Sequence, residues 1–293
     1  MTTTDTLAPT DPAGVGATPP PGEMPGAVRQ SLAFLALTYA AGIALALVLP
    51  GTVENPGPVS MLTAFLPALM VGLIRLAARR RHGPANPFPI GLRHLGLRSW
   101  PAAMAIPALA IGTSFAAAAA LGVVRFEGLA GEIGQLPITI VFLSILFLGE
   151  EIGWRSYLFP RLATVMPERR AALLSGFLQA LFHLPLLLLT PSYDGDGSRW
   201  IVVPGVVVVI TMAGAVFGWL RIRSGSLWPV TIAHGTVNAC LLEAPVLLAD
   251  DPDLAAYLTS EGGLFTIVTV AIAAAVVLRR ARWTPAPEAV PAA

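Results

Sequence analysis

The chain has 293 residues, 55% of them hydrophobic and only 12% charged, with a formal net charge of +1 and a mean hydropathy of +0.72. A soluble domain ordinarily carries about 25% charged residues, so this composition excludes an ordinary water-solvated globule and points to a chain solvated mainly by lipid. The net charge argues neither for nor against nucleic acid, and the single cysteine, Cys240, excludes an internal disulfide and a cysteine-based metal cluster.

In chain order, the first segment is rich in Thr, Pro, Gly and Asp and has no basic region ahead of an apolar one. It therefore reads as a disordered cytoplasmic tail over residues 1–30 rather than a signal peptide. A bilayer-spanning helix needs about 20 apolar residues. Eight stretches qualify, beginning near Ser31, Pro58, Ala102, Leu136, Ala171, Ile201, Ser226 and Leu264. The fourth and seventh are partly polar. The Pro- and Ala-rich end, residues 283–293, reads as a second disordered tail. The expectation is an all-α polytopic membrane helix bundle, with a transmembrane domain over residues 31–282 and no internal repeat.

Charge in the loops sets the expected orientation. Arg75, Arg79, Arg80, Arg81, Arg93 and Arg98 separate spans two and three. Arg161, Arg169 and Arg170 separate four and five. Arg221 and Arg223 separate six and seven, and Arg279, Arg280 and Arg282 follow the eighth. The alternate loops carry Glu54, then Glu127 and Glu132 with Arg125, then Asp194 and Asp196 with Arg199, then Asp250, Asp251 and Asp253. The positive-inside rule puts the Arg-rich set, and both termini, in the cytoplasm. All eighteen basic residues are Arg. That resembles the coding bias of a GC-rich bacterium, so the expected location is a bacterial cytoplasmic membrane, multi-pass.

Ionisable side chains at bilayer depth are costly and mark functional sites by default. The fourth span ends in Gly149-Glu150-Glu151-Ile152-Gly153-Trp154-Arg155-Ser156. Glu151 and Arg155, four apart, suit an intrahelical ion pair. Glu150 has no cation at helical spacing and needs a partner from elsewhere. The fifth span carries His183, with Pro185 just past it. The seventh carries His234 and Asn238 on one face behind Ser226-Leu227-Trp228-Pro229. Counted from the cytoplasmic ends, Glu150 and His234 lie about 12 Å deep and His183 about 18 Å. A single shared cavity follows from these similar depths.

A carboxylate and an imidazole can hold and deprotonate a water molecule. A second imidazole and a carboxamide can donate to an oxyanion. Cys240 falls off the polar face of its helix and reads as a small buried residue. Glu, His and His also make a legitimate catalytic zinc set, although no His-Glu-x-x-His sequence occurs. No cofactor is required by these residues, and zinc stays open.

Glu150-Glu151-x-x-Trp154-Arg155, a His in the next span, and His234-x-x-x-Asn238 behind Ser-Leu-Trp-Pro together resemble the CPBP family. These are the CAAX proteases and bacteriocin-processing proteins, also called the Abi family, which include the type II CAAX prenyl endopeptidases. The resemblance covers residues 135–245, which would be the protease core. It implies an eight-helix intramembrane endopeptidase of the glutamic type, acting on a membrane-associated peptide or protein in the lipid bilayer. Glu150 would be the general base, His183 would help hold the attacking water, and His234 and Asn238 would form the oxyanion hole. Glu151 and Arg155 would be a structural or substrate-positioning pair. Three positions depart from the family pattern: Gln179 where a Phe is usual, Trp154 for the commoner Phe, and Ser156 for a frequent Gly. Gln179, one turn before His183, can hydrogen-bond within the cavity. The competing expectations are a non-catalytic membrane scaffold or bacteriocin-immunity protein of the same fold, and a proton-coupled transporter.

Overall fold

The computed structural model describes residues 23–49, 57–82, 89–127, 129–190, 197–242 and 247–284. The two expected tails fall mostly outside these residues. The helices are α1 (Glu23–Val48), α2 (Gly57–His82), α3 (Trp100–Ala120), α4 (Leu129–Leu146), α5 (Leu148–Gly153), α6 (Phe159–Ala163), α7 (Glu168–Leu189), α8 (Arg199–Ser224), α9 (Trp228–Leu242), α10 (Pro252–Thr259) and α11 (Leu264–Arg280). A π-helical turn, Trp154–Leu158, joins α5 to α6. Extended structure among the described residues is one antiparallel pair, Arg125–Phe126 (β1) against Leu247–Leu248 (β2), with Arg125 opposite Leu248. The molecule is an all-α polytopic membrane bundle.

All eight apolar stretches become helices, in three different ways. Six are long and apolar enough to cross a membrane: Gly26–Val48, Met61–Ala78, Leu97–Ala120, Glu168–Leu189, Arg199–Ser224 and Pro252–Arg280. The fourth is broken, with Gly134–Leu146 and Leu148–Ala163 meeting at 42°. The seventh, α9, has 15 residues. That is about 22 Å, short of the ~30 Å hydrocarbon core. The length is tolerated because every residue from Pro229 to Thr236 is buried by protein, so neighbouring helices, not lipid, solvate this segment.

The surface is inverted relative to a soluble protein. Ile138, Leu109, Trp200 and Leu32 are more than half exposed, whereas Glu150, Glu151, Arg155 and Gln179 are buried. Such broad apolar exposure suits acyl chains. Lipid supplies no hydrophobic drive for helix association, so close backbone packing must do it, and small residues line the contacts. On α7 and α8, a Cβ added to Gly176 would meet the Thr211 carbonyl oxygen at 2.8 Å, and one added to Gly214 would meet the Ala172 carbonyl oxygen at 2.8 Å. This crossing holds the two helices at backbone distance and fixes α7 beneath the α5 turn.

The loop charges segregate in space as well as in sequence. At one end, Arg221 on α8 donates to the Pro89 carbonyl after α2 (3.0 Å). There too Trp219 donates to the carbonyl of Arg282 beyond α11 (3.2 Å). At the other end, Arg125 after α3 forms a two-pronged hydrogen bond with Asp250 (3.0 and 2.9 Å). The Gly197 amide before α8 donates to Asp253 (2.8 Å). Among the described residues, the connections carrying Pro89, Arg221 and Arg282 therefore meet at one pole and those carrying Arg125, Gly197, Asp250 and Asp253 at the other.

Candidate active site

The double glutamate stands on a short, flat helix turn. Gly149 and Gly153 bracket it and lie directly on α2, where a Cβ on Gly149 would reach the Phe65 Cα at 3.0 Å. With that face pressed to α2, Glu150 and Glu151 point into the bundle, 3% and 0% exposed. Trp154 opens the π-helical turn and is locked between Phe34 (ring centroids 5.4 Å) and Phe182 (5.6 Å). The wider turn then sends Arg155 to the opposite side, with its guanidinium carbon 4.9 Å from the centre of the Phe217 ring. π-turns inside helices recur at functional sites because they redirect side chains in this way.

The side chains named from the sequence come together around this turn. Glu151 Oε1 accepts from Arg155 Nη1 (3.1 Å) and from His234 Nδ1 (2.8 Å). His234 is stacked face to face on Phe147, with centroids 4.2 Å apart and planes 4° from parallel, and leans on Phe217 from the other side. Glu150 Oε2 accepts from Gln179 Nε2 (2.8 Å) and lies 3.7 Å from His183 Nε2. His183 Nδ1 is 2.9 Å from the carbonyl oxygen of Gln179. A carbonyl can only accept, so Nδ1 carries a proton there, and Nε2 is the ring nitrogen that faces Glu150. Glu150, Glu151, Arg155, His183 and His234 thus form one constellation drawn from α5, the π-turn, α7 and α9.

Asn238 joins it less directly. It shares the inward face of α9 with His234, but its amide nitrogen donates to the His234 carbonyl (3.2 Å), back along its own helix. Cys240 packs against the cluster of Ala110, Ile111 and Phe115 but is only half-buried, short of the full burial expected of it. Among the described residues no three His, Cys, Asp or Glu side chains converge as ligands to one ion.

Two features were not named as site residues from the sequence. Glu261, in the turn before α11, lies within electrostatic range of His183, His234 and Glu150; it stands outside the polar motifs, and no local spacing links it to them. The second is the loop at residues 89–94. Its backbone carbonyls are caught in turn by Ser156 Oγ at Ile90 (2.6 Å), the Leu227 amide at Gly91 (2.8 Å), Trp228 Nε1 at Leu92 (3.3 Å) and Ser226 Oγ at His94 (2.7 Å). The Ser-Leu-Trp-Pro run and the unusual Ser156 therefore work through the backbone. They tie the π-turn and the start of α9 to the same strap and so fix the glutamates relative to His234.

With this geometry in view, the comparison with known families is informative. Residues 132–240 match the family model described as type II CAAX prenyl endopeptidase Rce1-like. This region is similar to the CAAX-protease family. The match begins within α4 and ends near the end of α9, so it spans every element that carries the constellation. The chain is therefore a multi-pass membrane protein whose residues 132–240 resemble a CAAX-type membrane peptidase. No curated protein matches the chain.

Proposed function

We propose that this chain is a glutamic intramembrane endopeptidase that hydrolyses a peptide bond of a membrane-associated protein or peptide. The observation that carries this is the facing pair of Glu150 Oε2 and His183 Nε2, 3.7 Å apart. That is too long for a direct hydrogen bond and short enough for one water beside the pair to donate to both. Both atoms are acceptors when Glu150 is ionised and His183 neutral, so the water's lone pairs stay free for attack.

The reaction then balances without a covalent intermediate. The water oxygen adds to the acyl carbon as its proton passes to Glu150. Charge develops on the former carbonyl oxygen, which needs donors. His234 Nδ1 donates to Glu151, so donation from Nε2 uses the imidazolium form, which the Glu151 carboxylate balances. Asn238 supplies a second donor by turning its amide from the His234 carbonyl towards the site. Glu150 returns its proton to the leaving nitrogen as the C–N bond breaks, giving an amine and a carboxylic acid that ionises. No step passes through a metal.

The test uses the purified full-length protein in detergent and two quenched-fluorescence peptides, identical except that one carries an S-farnesyl cysteine. Glu150→Gln is expected to lower turnover by roughly 10²- to 10⁴-fold, with expression and melting temperature unchanged. Wild-type turnover in Glu150→Gln refutes the assignment of the base. Turnover abolished by a chelator and restored by zinc refutes the metal-free route. Folded wild-type protein that cleaves neither peptide favours the non-catalytic scaffold instead.

A further inference from the structure

Gln179 is buried, 2% exposed, and turns both side-chain polar atoms and its backbone carbonyl to the site. Its side-chain oxygen accepts from Arg155 Nη1. Its side-chain nitrogen donates to Glu150 Oε2 (2.8 Å). Its backbone carbonyl accepts from His183 Nδ1. The orientation of the amide is decided by chemistry rather than by shape. A guanidinium has only donors, so the oxygen must face Arg155, and the NH₂ must then face Glu150. Arg155 is itself held by Glu151, which holds His234.

We propose that Gln179 is a positioning residue: its amide, anchored by Arg155, aims the Glu150 carboxylate at the space that Glu150 shares with His183. The inference rests on the reading of Glu150 and His183 given above and extends it to a residue with no chemical step of its own. Two consequences follow from the geometry. The two glutamates, adjacent in sequence but turned apart, are linked through space by one chain of bonds running Glu150–Gln179–Arg155–Glu151–His234. The water-holding half of the site and the oxyanion half are therefore set by the same bridge. In addition, one residue fixes both members of the water-holding pair, Glu150 through its side chain and the His183 ring through its backbone.

The test compares Gln179→Met and Gln179→Glu in the full-length protein. Met keeps the length and volume and loses both hydrogen bonds. Glu keeps the acceptor for Arg155 and loses the donor to Glu150. A side chain that only fills space predicts full activity in Met. A positioning role predicts that kcat falls in both, roughly ten- to a hundredfold as expected for a misplaced reacting group, with KM within about twofold and melting temperature near wild type. A second readout needs no turnover. The infrared difference between wild type and Glu150→Gln isolates the Glu150 carboxyl band, and the same difference taken in the Gln179→Met background is expected to place that band at a shifted frequency. An unmoved band together with unchanged kcat overturns the proposal. If neither farnesylated nor plain peptide is cleaved by wild type, the peptidase reading falls and the band alone decides whether Gln179 orients Glu150.

Discussion

Glu151 holds two donors on one oxygen, Arg155 and His234, and all of this happens at 0% exposure of the carboxylate and 1% of the guanidinium. A buried ion pair adds little net stability over an apolar pair of the same shape, but breaking one strands the surviving charge. Glu151→Ala is therefore expected to destabilise by about 3–5 kcal/mol, because Arg155 loses its hydrogen-bonded carboxylate and keeps the Gln179 oxygen, the Phe217 face and the more distant Glu150 charge. Glu151→Gln retains an acceptor and is expected to lose much less stability while still losing turnover, since His234 Nδ1 no longer donates to a carboxylate. Thermal melts in detergent alongside the peptide assay separate the two variants; equal melting temperatures for Ala and Gln argue against the stranded-charge account. At this scale much of the site was legible in the sequence. The polar residues were out of place in lipid, and Glu150 visibly lacked a helical partner. Less legible was who would satisfy whom. The reach of Gln179 across from α7 is set by tertiary approach, and the turn of Asn238 onto the His234 carbonyl is a local choice among rotamers that spacing does not decide.

At the scale of elements, the site depends on how closely α7 and α8 cross. Gly176 and Gly214 touch there without side chains, and a Cβ on either would sit 2.8 Å from a backbone oxygen of the other helix. Gly176→Leu must push the helices apart, which displaces Gln179 and His183, three and seven residues further along α7. Overpacking of this kind costs about 1–3 kcal/mol. The expected outcome is a protein that melts lower and has lost most of its turnover, although no residue of the constellation is altered; retained activity in a Gly176→Leu variant disproves the close crossing. The helices themselves were readable from apolar length. The break at Phe147 was not, because no proline stands there and Gly149 and Gly153 seat on α2 only in the folded bundle; the π-turn after Gly153 had one local signal, Pro160, which withholds an N–H from the Ser156 carbonyl within it. The shortness of α9 was hidden for a related reason. An apolar run looks alike whether lipid or protein surrounds it, and only the neighbours reveal that α9 is enclosed.

Across the whole molecule, the charge pattern carries a statement about direction. Arg-rich connections share one pole, with Arg221 on the loop after α2 and Trp219 against Arg282. The acidic ones share the other, where the hydrogen bond from Arg125 holds the Asp250 carboxyl below the usual carboxylate range. A carboxylate held low keeps its contribution above its unfolded pKa and loses it as pH falls through the lower folded value, so this clasp is intact at neutral pH on whichever side it faces. The bundle alone does not say which side that is, since turning it over preserves every contact. The lipid and the membrane potential decide, through the cost of carrying arginines across. The Arg-rich pole is therefore expected to be cytoplasmic. Single cysteines in a Cys240→Ala background test it: Leu121, 68% exposed after α3, and Val165, 39% exposed between α6 and α7, lie at opposite poles. Leu121→Cys should react with a membrane-impermeant maleimide added to intact cells, and Val165→Cys only after the membrane is opened. The reverse pattern inverts the orientation, and with it the face from which a peptide must approach. Labelling of both from outside means that the two residues share a side, in which case the bent pair of α4 and α5 turns back instead of crossing.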